Sequence, residues 1–278
     1  MSARPGTRRG AIIILLVLTA ALFLLPQLWL ASISLKGKAA IYEYPPRWLS
    51  ADASLANYGF VLARTQVPAY LWNSAKVAVL ATLLTLALGL PAAYVLSRER
   101  FRPRDPLLTA LLVVQMVSPI VLLVPIYGVV AGLRLLDTHG GLILVYAAIQ
   151  LPFTVVVMKG FFDAVPPSLF EAALLDGAPR AMTLRRVALP IVAPGLAATA
   201  IFNLAAYWSE FGLALVLLDS QARFTIPVGL FSFQSGYETE WQLVAAASFI
   251  GLIPVMAAFV LLQRFFVSGL TAGAVKGS

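Results

Sequence analysis

The sequence predicts an all-α, polytopic membrane protein with six transmembrane helices, on the basis of its composition, its apolar runs and its charge placement. Of its 278 residues, 60% are hydrophobic and 12% are charged, and the mean hydropathy is +0.90. A soluble domain carries about 25% charged residues, and the apolar runs here are too many and too long for one buried core. Because cysteine is absent, disulfides and Cys-ligated metal or redox sites are excluded.

Six apolar runs are long enough to cross a hydrocarbon core ~30 Å thick. In chain order they are residues 11–35, 69–96, 107–131, 141–162, 195–218 and 241–265. The third run contains Pro119 and Pro125 and the fourth contains Pro152, each of which removes a backbone donor and bends a helix. The first run follows a basic start, as in a signal peptide, but its length and the lack of a small-x-small site predict a retained helix.

Charge placement sets the expected orientation. With the N-terminus inside, the inner segments hold thirteen basic residues and the outer loops hold six. Lys and Arg are retained on the cytoplasmic side of short loops, so this topology also explains the net charge of +8 without nucleic acid. It predicts a cytoplasmic N-terminus at 1–10, a transmembrane domain at 11–265 with a large outer loop at 36–68, a cytoplasmic loop at 163–192 and a cytoplasmic tail at 266–278.

The inner loop between spans four and five is a polar interruption between two long apolar runs. Two prolines, Pro166 and Pro167, stop span four, and Ser168 stands three residues before Glu171, the spacing of a helix capping box. The sequence predicts a short helix over 169–175, a break at Asp176-Gly177, and a second helix that ends before Pro190. The stretch is therefore predicted to be a helical hairpin too short to cross the membrane.

One face of this hairpin is apolar and needs a covering surface. Leu169, Phe170, Ala173 and Leu174 recur at helical spacing. The residues alone leave two interpretations open: docking on a partner protein, or an amphipathic hairpin lying on lipid headgroups.

The motif EAALLDG, followed after nine residues by VALP, resembles the EAA loop of permease subunits in binding-protein-dependent ABC importers. The matching positions are Glu171, Ala172, Ala173, Gly177, Leu189 and Pro190. Val187 departs from the family's Ile. The six spans, the large first outer loop and the tail GLTAGAVKG are similar to the smaller, maltose-type subunit of carbohydrate importers, so the resemblance covers nearly the whole chain.

This resemblance implies that the EAA loop is a coupling helix seated on a cytoplasmic ATPase. The implied ATPase-coupling residues are Glu171, Ala172, Ala173, Asp176, Gly177, Arg180, Leu189 and Pro190. For Arg180, Arg185 and Arg186 the sequence leaves open pairing with acids of the ATPase or with anionic lipid.

The chain has no G-x-x-x-x-G-K-[ST] loop to cradle phosphates. We therefore expect a non-catalytic subunit without its own cofactor, with ATP and Mg²⁺ bound by a partner. The resemblance implies a second permease subunit (usually a different chain), two ABC ATPase subunits and an extracytoplasmic solute-binding protein, in a bacterial inner membrane. A single histidine, His139, excludes a His-based metal site or catalytic triad, and no metal or catalytic residues are expected.

Polar and aromatic residues gather in span five and suggest a solute pathway. Asn203, Tyr207 and Glu210 follow helical spacings of four and three and so share one face. With Trp208, and with Gln115 of span three, they form the candidate lining for a sugar or oligosaccharide. Interfacial anchoring is the alternative for Tyr207 and Trp208.

Three other functions remain to be weighed. A secondary carrier is disfavoured because Glu210 is the clearest ionisable residue within a span. A membrane enzyme is disfavoured as well, because it would need a cluster of catalytic polar groups and the sequence offers none. An ABC permease for another polar solute, such as glycerol 3-phosphate, would favour cations in the pathway. The cations within the predicted spans, Lys76, Lys159 and Arg264, lie toward span ends.

Overall fold

The computed structural model describes residues 5–48, 50, 52–99, 101–233 and 239–274. Over these residues the chain is helical and contains no β-strand, which confirms the all-α class. The basic residues Arg4, Arg100 and Lys276, which contribute to the predicted orientation, lie outside the described residues.

Fourteen α-helices occur in the described part of the chain, together with a π-helical segment at Thr183–Ala188 and a 3₁₀ turn at Gln221–Arg223. In chain order the α-helices are α1 Pro5–Leu35, α2 Lys38–Ile41, α3 Ala56–Arg64, α4 Val67–Arg98, α5 Arg104–Gln115, α6 Leu123–Gly132, α7 His139–Asp163, α8 Pro167–Leu175, α9 Arg180–Met182, α10 Leu189–Ile191, α11 Ala193–Ser209, α12 Gly212–Leu217, α13 Ile226–Phe231 and α14 Trp241–Ala274.

Four of the described helices are long and apolar enough to cross a membrane individually. They are Ile12–Leu35 of α1, all of α4, all of α7, and Trp241–Leu261 of α14, with mean hydropathies of 2.1 to 2.4. Arg180–Ile191 and Ala193–Ser209 pass the same test together but are bent by 83°. The chain is thus a multi-helix membrane protein, and the count of six spans stays a prediction.

The third predicted span is not one continuous helix. α5 ends at Gln115 and α6 begins at Leu123, and Pro119 lies in the break. Proline has no N–H and disfavours helical backbone in the residue before it. Short turns replace the helix there: the N–H of Val121 donates to the carbonyl of Ser118 at 3.0 Å.

The sixth predicted span continues past its expected end. α14 runs to Ala274, nine residues beyond position 265, so much of the predicted tail is helical. Residues 234–238 of the preceding loop and 275–278 of the tail lie outside the described part of the chain.

The fold divides into two compact units, the first comprising residues 1–68 and 230–252. Within it, the predicted outer loop is tied to the end of α1. Asn57 of α3 donates from Nδ2 to the carbonyls of Ser34 and Lys36, both at 2.9 Å. Trp29 and Trp48 meet edge to face with ring centroids 5.0 Å apart. These contacts attach α3 and Trp48 to the end of α1.

The second unit comprises residues 69–229 and 253–278 and contains two apolar clusters. One cluster surrounds Tyr146, Tyr207 and Trp208. The other surrounds Tyr94, Phe162 and Phe170 and lies beside the predicted cytoplasmic loop. Each candidate site described below lies next to one of these clusters.

Asp137 organises the loop that follows α12. Its carboxylate accepts hydrogen bonds from the N–H groups of Asp219 and Ser220 at 3.1 and 3.0 Å, and pairs with Arg223 at 3.1 Å. Its own N–H donates to the carbonyl of Leu217 at 2.8 Å. The side-chain hydrogen bond from Ser220 is the largest of several contacts that lower the pKa of Asp137 below its ordinary 3.8.

We expect Asp137→Asn to destabilise the second unit at neutral pH. The lost charged hydrogen bonds correspond to about 1 kcal/mol, or roughly 2–4 °C in melting temperature. Because the folded-state pKa is lowered, the carboxylate stabilises the fold above its unfolded pKa and loses that contribution as pH falls through its folded pKa. Thermal unfolding in detergent should show the difference shrinking below pH 3.8.

The matched control is Asp219→Asn, since the Asp219 side chain is exposed and only its backbone N–H serves the loop. It should leave the melting temperature unchanged. An Asp137→Asn difference that is constant down to the lowest pH at which the protein stays folded would contradict the prediction.

Candidate functional site

The cytoplasmic hairpin predicted from sequence begins with α8, Pro167–Leu175. Pro167 is its first residue, a position at which the fixed φ and missing N–H of proline are favourable. Ser168 therefore lies inside the helix, so the predicted capping box with Glu171 is wrong: an N-cap residue stands outside the helix. The N–H of Leu169 donates instead to the carbonyl of Pro166 at 3.2 Å.

The break after α8 has the predicted geometry. Gly177 has φ +75°, in the left-handed region that glycine adopts without steric cost. The N–H of Ala178 donates to the carbonyl of Ala173 at 3.0 Å, which is the six-to-one hydrogen bond of a Schellman motif. The glycine thus fixes the direction in which the chain leaves the helix.

The second half of the hairpin extends further than predicted. Pro179 is extended, helical structure runs from Arg180 to Ile191, and Pro190 lies inside it rather than after its end. The intervening segment, Thr183–Ala188, is a π-helix. Its wider turn accommodates a proline ring that an ordinary α-turn would bring against a backbone carbonyl.

Most of the predicted coupling residues are exposed. The exposed set is Glu171, Ala172, Asp176, Gly177, Arg180 and Pro190, while Ala173 and Leu189 are half-buried. Leu175, at the end of α8, is 89% exposed, an unusual position for a large apolar side chain. The surface that ends α8 is therefore suited to a partner.

The opposite face of α8 is already covered by its own chain. Phe170 is 6% exposed and lies 5.9 Å from Tyr94 of α4, measured between ring centroids. A cleft of about 500 Å³ separates the hairpin from the end of α4. Arg180 crosses it to pair with Glu99 at 3.0 Å, although both side chains are exposed and such pairs contribute little. Sequence reasoning missed Tyr94, and no motif pointed to it.

The structure places the span-five pathway candidates inside the chain. Asn203 has no exposed surface, and its Nδ2 donates to Thr154 at 2.9 Å. Tyr207 and Trp208 are also buried, and the hydroxyl of Tyr207 lies 2.7 Å from that of Thr85. In this conformation these residues join α11 to α4 and α7.

Glu210 interrupts span five and supports the interruption with its carboxylate. α11 ends at Ser209, and the carboxylate accepts hydrogen bonds from the N–H groups of Leu213 and Ala214 at 2.8 and 3.1 Å. These are free donors at the start of α12. Tyr146 donates to the same carboxylate at 2.7 Å. The spacing that suggested a shared polar face also fits this internal network.

Gln115, the remaining pathway candidate, is exposed and lines a cleft of about 260 Å³ at the broken third span. Gln150 of α7 lines the same cleft, as do Phe153 and Phe202, whose rings stack 4.5 Å apart. Sequence reasoning missed these three residues. The available signal was Gln150 itself, an amide in the middle of an apolar span.

His139 is predicted from the sequence to serve no metal site. No group of three or more His, Asp or Glu side chains in the described ranges is arranged to hold a metal ion. His139 begins α7 and its Nε2 lies 2.8 Å from the carbonyl of Arg223, so it serves the loop around Asp137.

Comparison with curated proteins finds relatives among transport-system permeases. The chain is 35% identical over 254 residues to the sulfoquinovosyl glycerol permease SmoH of Agrobacterium fabrum, covering 91% of this chain and 89% of that one. It is 36% identical to the diacetylchitobiose permease DasC of Streptomyces coelicolor, covering 91% of each. It is 35% identical to the trehalose/maltose permease MalG of Thermococcus litoralis, covering 97% and 98%.

The fold has counterparts among solved importers. A chain of a bacterial ABC transporter that imports alginate superposes with a TM-score of 0.81 at 23% identity, over 96% of this chain and 99% of that chain. A chain of the methionine transporter MetNI gives a TM-score of 0.57 at 17% identity, over 72% and 94%. The family model for binding-protein-dependent transport system inner membrane components matches residues 85–271, and the chain belongs to that family.

Proposed function

We propose that this chain is the transmembrane subunit of an ATP-driven importer and forms half of the pathway for a sugar or oligosaccharide. The observation that carries this is the hairpin around Gly177, whose left-handed residue and exposed end of α8 accompany the EAA spacing. The carbohydrate class rests on the names of the relatives, three of which are permeases for saccharides or sugar derivatives.

In this proposal the chain crosses the membrane six times with both termini in the cytoplasm. Spans three and five are the broken helices α5–α6 and α11–α12, in which residues such as Glu210 satisfy the freed backbone groups. The domain extends over residues 11–265, with the loop 36–68 outside and 163–192 inside. The family's description supports an inner-membrane location.

ATP hydrolysis then belongs to partner chains. We propose two ABC ATPase subunits that bind ATP and Mg²⁺, a second permease subunit, and an external solute-binding protein. This chain contributes docking surface and pathway but no catalytic group. A solved structure with a similar fold, a bacterial alginate ABC transporter in complex with a periplasmic protein that holds an alginate pentasaccharide, is consistent with such an assembly.

The proposed coupling follows from which side of α8 is buried and which side is exposed. ATP binding closes the ATPase dimer and moves the C-terminal half of α8, which carries Glu171 and Ala172, together with Asp176 just after it. The buried side of α8 passes that displacement to the membrane helices, which alternate between inward-open and outward-open states. ATP drives the cycle because it binds the two states with different affinity.

The cleft at Gln115 is the pathway wall that the geometry favours. Its lining combines two amides with the stacked rings of Phe153 and Phe202, the groups that bind hydroxyls and sugar faces. At about 260 Å³ it is smaller than the ~300–1,000 Å³ typical of complete ligand sites, so a partner permease would supply the rest. None of its lining residues is charged, which favours a neutral sugar over a phosphorylated solute.

The coupling role predicts that Gly177→Ala impairs the reconstituted complex. Alanine at φ +75° costs about 1–2 kcal/mol. This cost lowers the fraction of molecules with the native hairpin conformation roughly tenfold. Substrate-stimulated ATP hydrolysis and uptake should both fall by about that factor. Gly177→Asn is the matched control, because asparagine tolerates the left-handed region, and it should retain most activity.

Glu171→Ala tests the same role without altering backbone shape, since Glu171 is exposed. Assembly with the ATPase should weaken in a pull-down from membranes, and uptake should fall with it. If substrate-stimulated ATP hydrolysis and uptake persist unchanged in both Gly177→Ala and Glu171→Ala, the coupling role is wrong.

The pathway role predicts that Gln150→Ala and Gln115→Ala each slow uptake of the preferred saccharide about fivefold, the effect of one lost hydrogen bond of ~1 kcal/mol. The measurement is uptake into proteoliposomes across a panel of saccharides. Gln27→Ala, an exposed glutamine on α1, is the control and should have no effect. Unchanged uptake in both cleft variants would remove the cleft from the pathway.

A further inference from the structure

Arg98 is the last residue of α4, and its guanidinium joins three helices. Nη2 donates to the carbonyl of Val165 at 2.8 Å and also to the carbonyl of Phe162. Both carbonyls belong to the end of α7 and the turn that follows it. The guanidinium carbon lies 3.9 Å from the ring centroid of Phe170 on α8.

These contacts use properties specific to arginine. The last carbonyls of a helix have no partner within it and carry the negative end of the helix dipole, so a cation that donates to them is favourable there. A planar guanidinium can donate in its own plane while its face stacks on an aromatic ring. A lysine ammonium has a single point of charge and does not combine both contacts in this geometry.

Aromatic rings pack beside Arg98, which also lines the cleft of about 500 Å³ between the hairpin and the end of α4. Tyr94 meets the ring of Phe162 edge to face at 5.7 Å and that of Phe170 at 5.9 Å. All three rings are at least nine-tenths buried. Such packing is nearly incompressible, so one element passes a displacement to the next rather than absorbing it. The exposed pair of Arg180 and Glu99 offers no comparable connection.

A second set of contacts connects α4 to α7 next to Arg98. Ser97 donates to the carboxylate of Asp163 at 2.6 Å, and Lys159 pairs with the same carboxylate at 2.6 Å. α4 and α7 are thus fastened to each other directly. The contact of Arg98 with Phe170 adds α8 to this pair.

We propose that Arg98 is the positioning residue through which movement of α8 reaches α4 and α7. This rests on the proposed function of α8 as the coupling helix and names the side chain that transmits its displacement. Arg98 touches neither solute nor nucleotide. Its role is to hold the buried face of α8 to the ends of two membrane helices throughout the transport cycle.

The test compares Arg98→Lys with Arg102→Lys in the complete reconstituted transporter. Arg102 lies exposed on the loop that follows α4 and is the matched control. We expect Arg98→Lys to assemble normally and to retain ATP hydrolysis within twofold, while the number of solutes transported per ATP falls about tenfold. Arg102→Lys should match the wild type in all three measurements.

Phe170→Leu provides a second variant, because it keeps an apolar side chain but removes the ring under the guanidinium. It should lower transport per ATP in the same way. The double variant with Arg98→Lys should be no worse than the more impaired single variant, since both changes break one contact.

Two transport results would each overturn the proposal: transport per ATP unchanged in an assembled Arg98→Lys complex, or ATP hydrolysis and transport falling in equal proportion. If Arg98→Lys does not assemble, the same two criteria apply to Phe170→Leu alone.

A spectroscopic measurement separates this inference from the proposed function. The chain has no cysteine, so spin labels can be placed at Val95→Cys on α4 and Ser168→Cys on α8, both exposed positions. The distance distribution should broaden in Arg98→Lys and stay narrow in Arg102→Lys. If the wild-type complex transports no saccharide, the proposed function fails. Broadening in Arg98→Lys would still support the role of Arg98 in holding α8 to α4 and α7. An unchanged distribution in Arg98→Lys would overturn that role.

Discussion

Backbone hydrogen bonding is the constraint on which the rest of this structure depends. In hydrocarbon no water is available to pair with a free N–H or C=O, so each interruption of a helix requires a substitute partner. At the break in span five the carboxylate of Glu210 accepts from the freed N–H groups of α12. At the end of α7 and in the turn that follows it, the guanidinium of Arg98 donates to the carbonyls of Phe162 and Val165. Charged side chains are thus placed where regular structure stops.

This constraint explains why few polar residues can organise so apolar a chain. Tyr146 connects Glu210 to the cluster of stacked rings that includes Tyr207, with centroids 5.2 Å apart. At the opposite end of the same unit, Tyr94 and Phe170 pack around Arg98. Each polar contact lies beside aromatic rings, which lower the local dielectric and strengthen it. The two clusters therefore hold the helices together where the proposed pathway and the proposed coupling loop need defined geometry.

The division of roles within the hairpin follows from burial. α8 turns Phe170 inward and leaves Glu171, Ala172 and Leu175 outward. The apolar face that sequence periodicity predicted to need a covering surface is thus partly covered by α4, while Leu169 is 43% exposed and Leu175 is 89% exposed. This arrangement suits the proposed coupling role, in which the exposed surface would receive the ATPase and the buried surface would pass its movement inward.

The sequence by itself determined the helical class, the apolar runs, the hairpin and its Gly177 break, because hydropathy, proline and glycine act locally. Only the tertiary structure decided that Ser168 lies inside α8, that Pro190 lies within a helix, and that Asn203 is enclosed between α7 and α11. The same holds for Arg98, which in sequence is one of several loop arginines. Helical spacing predicts which side chains share a face, but the neighbouring helix decides whether that face meets a pathway or the interior of the protein.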